Sequence, residues 1–254
     1  MQYEDISLEI DRGVARLTFR RPGKLNALRD HTGSEMQAAF DEMESNPDVR
    51  AIVLTGEGRA FGVGYDLSLA KPDNVPDMAK ILEEDYNPLI RRMRASRLPI
   101  VSVINGPCAG ASVGIALAGD IVIAARSAYF YEPFVGLALI PDAGNTLFLP
   151  RAVGRIRAAG AMLLAEKITV EEALSWGLVW RVFEDGELMS RADEIAHKLA
   201  GFSPTSVSLI KKLISEASDY GLSEQLDLER DAQGEACGSS EMKAAIASFF
   251  AKRK

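Results

Sequence analysis

Apolar and polar positions alternate through ISLEI (6–10) and VARLTF (14–19), and the two runs flank Asp11-Arg12-Gly13. A period of two on either side of a short glycine-containing turn predicts a β-hairpin. The period then changes. Met36, Ala39, Phe40 and Met43 recur at helical spacing behind Asp30 and Thr32, both suited to cap a helix start. AIVLTG (51–56), IVSVI (100–104) and DIVIAA (120–125) are apolar almost throughout. An amphipathic helix from Pro76 to Ser96, carrying Met78, Ile81, Leu82, Leu89, Ile90 and Met93, separates the first two of these runs. A glycine-rich turn and the short helix ASVGIALA (111–118) separate the second from the third. Fully apolar strands alternating with helices predict an α/β fold with a parallel sheet covered on both faces. From about Arg155 onward the pattern is almost wholly helical, with no low-complexity linker, so this tail is expected to pack on the core or on a neighbouring subunit.

Composition narrows the function classes. The 254 residues are 47% hydrophobic and 26% charged, an ordinary globular balance with enough chain to bury a sizeable core. The net charge of −7 and the short basic run Lys252-Arg253-Lys254 argue against a nucleic-acid partner, which needs clustered Lys and Arg. Cys108 and Cys237 form no metal or redox spacing and suit a reducing compartment. The start, MQYEDISLEIDRG, is acidic and strand-like rather than a leader peptide. Asn105, Pro107 and Asp120 interrupt the longest apolar stretch, so no membrane span is expected and the protein is placed in the cytoplasm.

Two motifs lead nowhere. GEGRAFGVG (56–64) follows a strand, but Phe61 stands where a dinucleotide loop needs glycine, and no helix follows at once. Gly110-Ala111-Ser112-Val113-Gly114 matches the G-x-S-x-G nucleophile elbow, yet NGPCAGA separates Ile104 from Ser112, whereas an elbow serine sits on a sharp turn directly after its strand. His197 lies inside a regular helical pattern and His31 at a helix start, so neither histidine suits a triad or a metal site. Two glycine-rich turns remain, GVGYDL (62–67) and NGPCAGA (105–111), each after a buried strand. Glycine permits close backbone approach, and a helix start offers unpaired N–H groups. The turns could form an oxyanion hole made of main chain, or be tight turns and nothing more.

With these turns, the blocks RPGKLNAL (21–28), AFGVGYDL (60–67), PIVSVINGPCAGASVGIALAGDIVIAA (99–125), GLALIPDAGNT (136–146), PRAVG (150–154), ITVEEALSWGLVWRV (168–182) and FFAKRK (249–254) resemble the crotonase, or enoyl-CoA hydratase/isomerase, superfamily over nearly the whole chain. The resemblance implies a crotonase (ClpP-like) fold, a spiral of ββα units over residues 1–195 that holds a CoA site. A helical C-terminal region over 196–254 would serve trimerisation and CoA contact. It implies an acyl-CoA substrate with no separate cofactor and no metal, and a homotrimer or dimer of trimers, with another crotonase subunit as a further candidate partner. By the same resemblance the N–H groups of Tyr65 and Ala111 hold the thioester oxygen. Leu25, Asn26, Ala27, Gly64, Asp66 and Leu67 line CoA, and Phe249 and Lys252 reach CoA from a neighbouring subunit. Val63, Tyr86 and Phe134 are expected in the acyl pocket.

Departures from the family pattern bear on the reaction. The two glutamates of the superfamily's hydratases fall here on Gly114 and Phe134, leaving no acid at either place to activate water. Glu132 is nearby and is expected to turn outward into a surface ion pair. Asp142 stands where the superfamily's isomerases carry a carboxylate. Its surroundings are most similar to isomerases acting on ring epoxides such as 1,2-epoxyphenylacetyl-CoA, or shifting Δ3 double bonds to Δ2. The resemblance therefore implies an isomerase in which Asp142 removes the C2 proton, the enolate rests on Tyr65 and Ala111, and Asp142 returns a proton elsewhere. Apolar walls including Phe134 are expected to raise the pKa of Asp142. The competing readings are Asp142 as a nucleophile in a CoA-ester hydrolase or dehalogenase, a hydratase despite the missing acids, a non-catalytic subunit, and Asp142 as a cap for the helix beginning near Asn145. Val63, bulkier than usual at its place, and Asn145, where glycine is common, point to an unusual substrate.

Overall fold

The computed structural model describes residues 3–71, 73 and 75–251; Lys252 lies outside them. Strands β1 (Ile6–Asp11) and β2 (Val14–Phe19) form the expected antiparallel hairpin, in register from Ile6 against Phe19 to Asp11 against Val14. Its two-residue turn needs left-handed backbone at both positions, and Arg12 (φ 44°) and Gly13 (φ 83°) supply it. Helix α1 (Asp30–Ser45) then buries Met36, Ala39, Phe40 and Met43. Thr32 at its third position accepts from Arg29 N–H at 3.1 Å, whereas Asp30 accepts from the Tyr65 hydroxyl at 2.8 Å instead of capping. β3 (Ala51–Gly56) is buried at every residue.

The helical stretch expected from Pro76 to Ser96 is not uniform. α2 (Met78–Ile81) passes through one π-helical turn (82–86) before α3 (Asn87–Ala95). Next come β4 (Ile100–Ile104), β5 (Pro107–Ala109), α4 (Ala111–Leu117), β6 (Ile121–Ala125) and β7 (Tyr129–Tyr131). The chain continues through α5 (Asn145–Val153), α6 (Arg155–Leu164), β8 (Lys167–Thr169), α7 (Val170–Ser175), β9 (Arg181–Phe183), α8 (Leu188–Ala200), α9 (Pro204–Glu216), α10 (Leu222–Gly238) and α11 (Ser240–Ala251).

The described residues form a six-stranded sheet in the order β1-β2-β3-β4-β6-β9, parallel from β2 onward, and a three-stranded sheet β5-β7-β8. This is the crotonase spiral: successive strand pairs and helices wind about one core. β8 and β9 are the departures from the almost wholly helical pattern expected after Arg155. Each has three residues and lies within a helical pattern, too short for its own period to show. A boundary at 195 falls inside α8, whose Leu188, Ala192 and Ala196 are buried, and this helix packs on β2, β3, β4 and β6.

β3 and β4 are hydrogen-bonded neighbours running the same way, so the two glycine-rich turns emerge side by side at their C-terminal ends. In open parallel sheets that edge is where ligands bind.

Candidate active site

The two turns are laced together. Phe61 N–H and Gly62 N–H donate to Pro107 O (3.1 and 3.3 Å), and Ala109 N–H donates to Gly62 O (2.9 Å). Gly64 N–H donates to the Ser112 hydroxyl at 3.1 Å. Gly64 has φ +81°, and a Cβ there would lie 3.2 Å from Ala109 O and 3.4 Å from Ala111 N, so a side chain would push the turns apart. On its other side the first turn pairs with residue 28. Leu28 N–H donates to Gly64 O (2.8 Å) and Asp66 N–H to Leu28 O (2.7 Å). Successive groups of an extended chain point to opposite sides, which turns the intervening Tyr65 N–H away from that pairing. Among the described residues neither Tyr65 N–H nor Ala111 N–H, the first amide of α4, meets an acceptor. Two unused main-chain donors on adjoining turns can bind an oxygen that carries negative charge.

Other expected contact residues buttress these turns. Asn26 is 1% exposed; its Oδ1 accepts from Arg21 N–H, and its Nδ2 donates to Glu57 O and Ala60 O. Arg21 donates to Asp66 Oδ2 at 2.9 Å and to Ala27 O. Ser68 donates to Asp66 Oδ1 through its hydroxyl and its N–H, and those bonds hold the Asp66 carboxyl below its ordinary pKa against the cost of burial. The side chains of Asn26 and Asp66 are therefore committed within the protein. Leu25 and Asn26 are consecutive left-handed residues (φ 52° and 56°), a costly backbone for leucine that these bonds enforce. Leu67 is exposed, and Val63 is half-buried with its carbonyl beside Gly110. Tyr86 is buried, its hydroxyl donating to Arg29 O at 2.7 Å. Phe249 lies on α11 with its ring edge-on to Phe250.

Gly110 links the turns to a second region. Its N–H donates to Tyr131 O at 2.9 Å, and its carbonyl accepts from Asn145 Nδ2 at 3.1 Å. The end of β7 and the turn before α5 are thus pinned to the same residue. The Phe134 ring comes within 3.8 Å of where a Gly110 Cβ would sit, bringing the expected pocket residue to the turns. Gly114 has no room for a side chain, because a Cβ would lie 2.2 Å from Ala143 O. The segment carrying Asp142 presses on α4 at the position where a hydratase acid would begin.

Asp142 is half-buried, and its Oδ1 makes no hydrogen bond among the described residues. Burial pushes its carboxyl from the ordinary value up to about 6. It does not cap α5 through its side chain. Gly144 (φ +84°) is the cap residue, and Asp142 contributes its carbonyl, accepting from Asn145 N–H at 2.9 Å.

Glu132 corrects the sequence expectation most sharply. Rather than forming a surface ion pair, it is 1% exposed, and neither carboxyl oxygen meets a partner among the described residues. Burial and the charge of nearby Asp142 push its pKa up to about 8. Strand alternation misled because β7 ends at Tyr131 and the chain turns through Pro133 into a short 3₁₀ segment. The other residue whose part was missed is Ser112. It is fully buried, and its hydroxyl joins the two turns. No cluster of His, Cys, Asp or Glu among the described residues could hold a metal ion, and no helix among them is long and apolar enough to cross a membrane.

A ββα spiral with paired amide-bearing turns beside buried carboxyls defines a crotonase-type α/β protein. Comparison with known proteins agrees: residues 9–254 match the family described as enoyl-CoA hydratase/isomerase. The 1,2-epoxyphenylacetyl-CoA isomerase of Escherichia coli (strain K12) is 40% identical, with 98% of this chain and 97% of that protein aligned. The short-chain-enoyl-CoA hydratase of Clostridium acetobutylicum is 36% identical over 100% of this chain and 97% of its own. A crystal structure of a putative enoyl-CoA hydratase/isomerase from Mycobacterium abscessus superposes with a TM-score of 0.90 at 34% identity, covering 97% of this chain and 96% of that one. The chain belongs to the enoyl-CoA hydratase/isomerase family of the crotonase superfamily, enzymes of CoA-thioester chemistry.

Proposed function

We propose that the protein is an acyl-CoA isomerase that works through a thioester enolate, moving a double bond from Δ3 to Δ2 or rearranging a ring epoxide. The observation that carries this reading is Asp142: a carboxyl with a buried, unpartnered oxygen and a raised pKa, on a turn tied to Gly110 of the amide-bearing loop. The N–H groups of Tyr65 and Ala111 would hold the thioester oxygen, each such donor being worth ~10²–10³ in rate. Asp142 would take the C2 proton, and a proton would return elsewhere on the acyl group. A base with a pKa of about 6 is ionised at neutral pH yet basic enough to share in proton transfer.

The backbone around Gly64 and residues 25–27 would carry CoA, with the exposed Leu67 as an apolar contact. Exposed Ile156, Leu163, Leu164, Ile214 and Leu222 in the C-terminal half supply apolar surface for a homotrimer or a pair of trimers. Hydration is disfavoured because Gly114 cannot carry an acid without displacing Ala143, and Phe134 presents a ring. Use of Asp142 as a nucleophile would require a base for water. His31 is engaged with Glu4 and Glu35, and His197 lies in the last turn of α8.

The test is purified protein with a 3-enoyl-CoA and with crotonyl-CoA. Conversion of the first to the 2-enoyl-CoA with negligible hydration of the second is the expected result. Efficient hydration of crotonyl-CoA with no isomerisation would overturn the reading.

A further inference from the structure

Two carboxyl groups with buried, unpartnered oxygens lie at one site, Glu132 with both and Asp142 with one, and the mechanism above uses only Asp142. Glu132 follows Tyr131, whose carbonyl accepts from Gly110 N–H, and precedes Pro133 and Phe134, whose ring faces Gly110. Asp142 precedes Asn145, whose amide donates to Gly110 O. Both acids therefore hang from the residue that introduces the Ala111 amide. Glu132 is nearly inaccessible, with Oε1 and Oε2 both unpartnered, and no cation among the described residues neutralises it. A buried carboxyl with neither counter-ion nor donor is retained at a cost, and it is kept neutral by its surroundings. Cys108, buried beside it, offers no charge at neutral pH, since burial and Glu132 both push its thiol up.

We propose that Glu132 is a second proton-carrying residue of this site: a neutral carboxylic acid that delivers the proton to the far end of the acyl group while Asp142 takes the one from C2. The proposal rests on the isomerase reading and refines it. With a 3-enoyl thioester, the C2–H bond breaks toward the Asp142 carboxylate and its electron pair enters the enolate. The C4–H bond forms with the Glu132 proton as the double bond moves from C3–C4 to C2–C3. The proton on Asp142 then passes to the Glu132 carboxylate, restoring both groups with no net gain or loss. Like-charged neighbours assist this order, because an ionised Asp142 keeps Glu132 protonated until Asp142 has itself been protonated.

The test is a single turnover of (3E)-hexenoyl-CoA by excess wild-type enzyme equilibrated in D₂O. Delivery from Glu132 places deuterium at C4. Glu132→Gln, which keeps the volume but carries no transferable proton, is expected to slow isomerisation on the order of 10²-fold, to slow C2–H exchange much less, and to return protium to C4. Protium carried from C2 to C4 by the wild type overturns the role of Glu132 and leaves the isomerase reading standing. Deuterium at C4 with equal rate and labelling in Glu132→Gln does the same. Absence of both isomerisation and C2–H exchange in the wild type overturns the isomerase reading and this proposal together. Protium at C4 in the wild type is decisive without any variant; should Glu132→Gln fail to fold, Glu132→Met, of similar length and likewise without a transferable proton, makes the same comparison of rate and labelling.

Discussion

The paired turns and the carboxyl corner lie against each other at Gly110, yet they treat polar groups in opposite ways. In the turns, Asn26, Asn105, Asp66 and Ser112 are spent on main-chain or side-chain partners, and two amides are left over. In the corner, Glu132 Oε1 and Oε2, Asp142 Oδ1 and Asn145 Oδ1 are all buried without a partner. The first region is a hydrogen-bonded frame with two spare amides, the arrangement that electrostatic preorganisation of the proposed oxyanion hole would use. The second retains groups that burial makes costly, and unsatisfied buried groups in a folded protein call for a role. On the proposed reading, frame and chemistry are divided between backbone and side chains.

The comparison breaks most severely at Asp142. Asp142→Asn keeps shape and removes the proposed base, so isomerase turnover is expected to fall ~10²–10⁴-fold while CoA-ester affinity is preserved. Steady-state rates and equilibrium binding of a 2-enoyl-CoA check this, and wild-type turnover by the variant would discard the role. The frame should fail next at Gly64. Gly64→Ala combines a left-handed φ with contacts of 3.2 and 3.4 Å to Ala109 O and Ala111 N. Displacing one donor should cost ~10²–10³ in kcat/KM, with Asp142-dependent C2–H exchange falling in parallel. Loss of isomerisation with normal exchange would mean that the turns do not hold the enolate.

The corner also leaves a signature in stability. The folded-state pKa of Glu132 is raised to about 8, so its contribution is complete below the ordinary carboxyl range and is lost as pH climbs through about 8. Asp142 acts with the same sign over a lower window that closes near 6. Wild type should therefore lose more stability between pH 5 and 9 than Glu132→Gln does, the difference being on the order of 2–4 kcal/mol. Urea midpoints at the two pH values measure it. Identical losses in both proteins would show that Glu132 is ionised at neutral pH. In activity, kcat/KM should rise through about 6 as Asp142 ionises and fall above about 8 as Glu132 does. These limbs belong to the interacting pair rather than to either residue alone.

The frame was far more legible in the sequence than the corner. Strand periods, apolar runs and glycine positions are local signals, and they placed β1 to β4, α4, β6 and the first turn, whereas the second turn, 105–111, contains the strand β5. The short strands β5, β7, β8 and β9 escaped because three residues cannot display a period, and their partners are distant in sequence. The π-helical turn at 82–86 escaped because apolar spacing does not register one extra residue in a helix. Glu132 was misjudged for a different reason. Its environment is made by Asp142 and Cys108, ten and twenty-four residues away along the chain, and no window around YEPF contains them. Ser112 stood in a recognised motif, but its role depends on Gly64, forty-eight residues earlier.

The smallest expected effect separates frame from chemistry at that serine. Ser112 Oγ accepts from Gly64 N–H at 3.1 Å, and a Cβ on Gly62 would lie 2.6 Å from the same oxygen, so the hydroxyl fills the seam between the turns. Ser112→Ala leaves Gly64 N–H buried without an acceptor, which should cost ~1–3 kcal/mol of stability. It removes no proton carrier and neither of the Tyr65 and Ala111 donors, so activity should fall by no more than about 10-fold through loosened donor geometry. A serine nucleophile predicts the reverse, with stability nearly intact and turnover abolished. Thermal melts and single-turnover rates on one preparation distinguish the two. An inactive but fully stable Ser112→Ala would move the chemistry from the carboxyl corner into the frame.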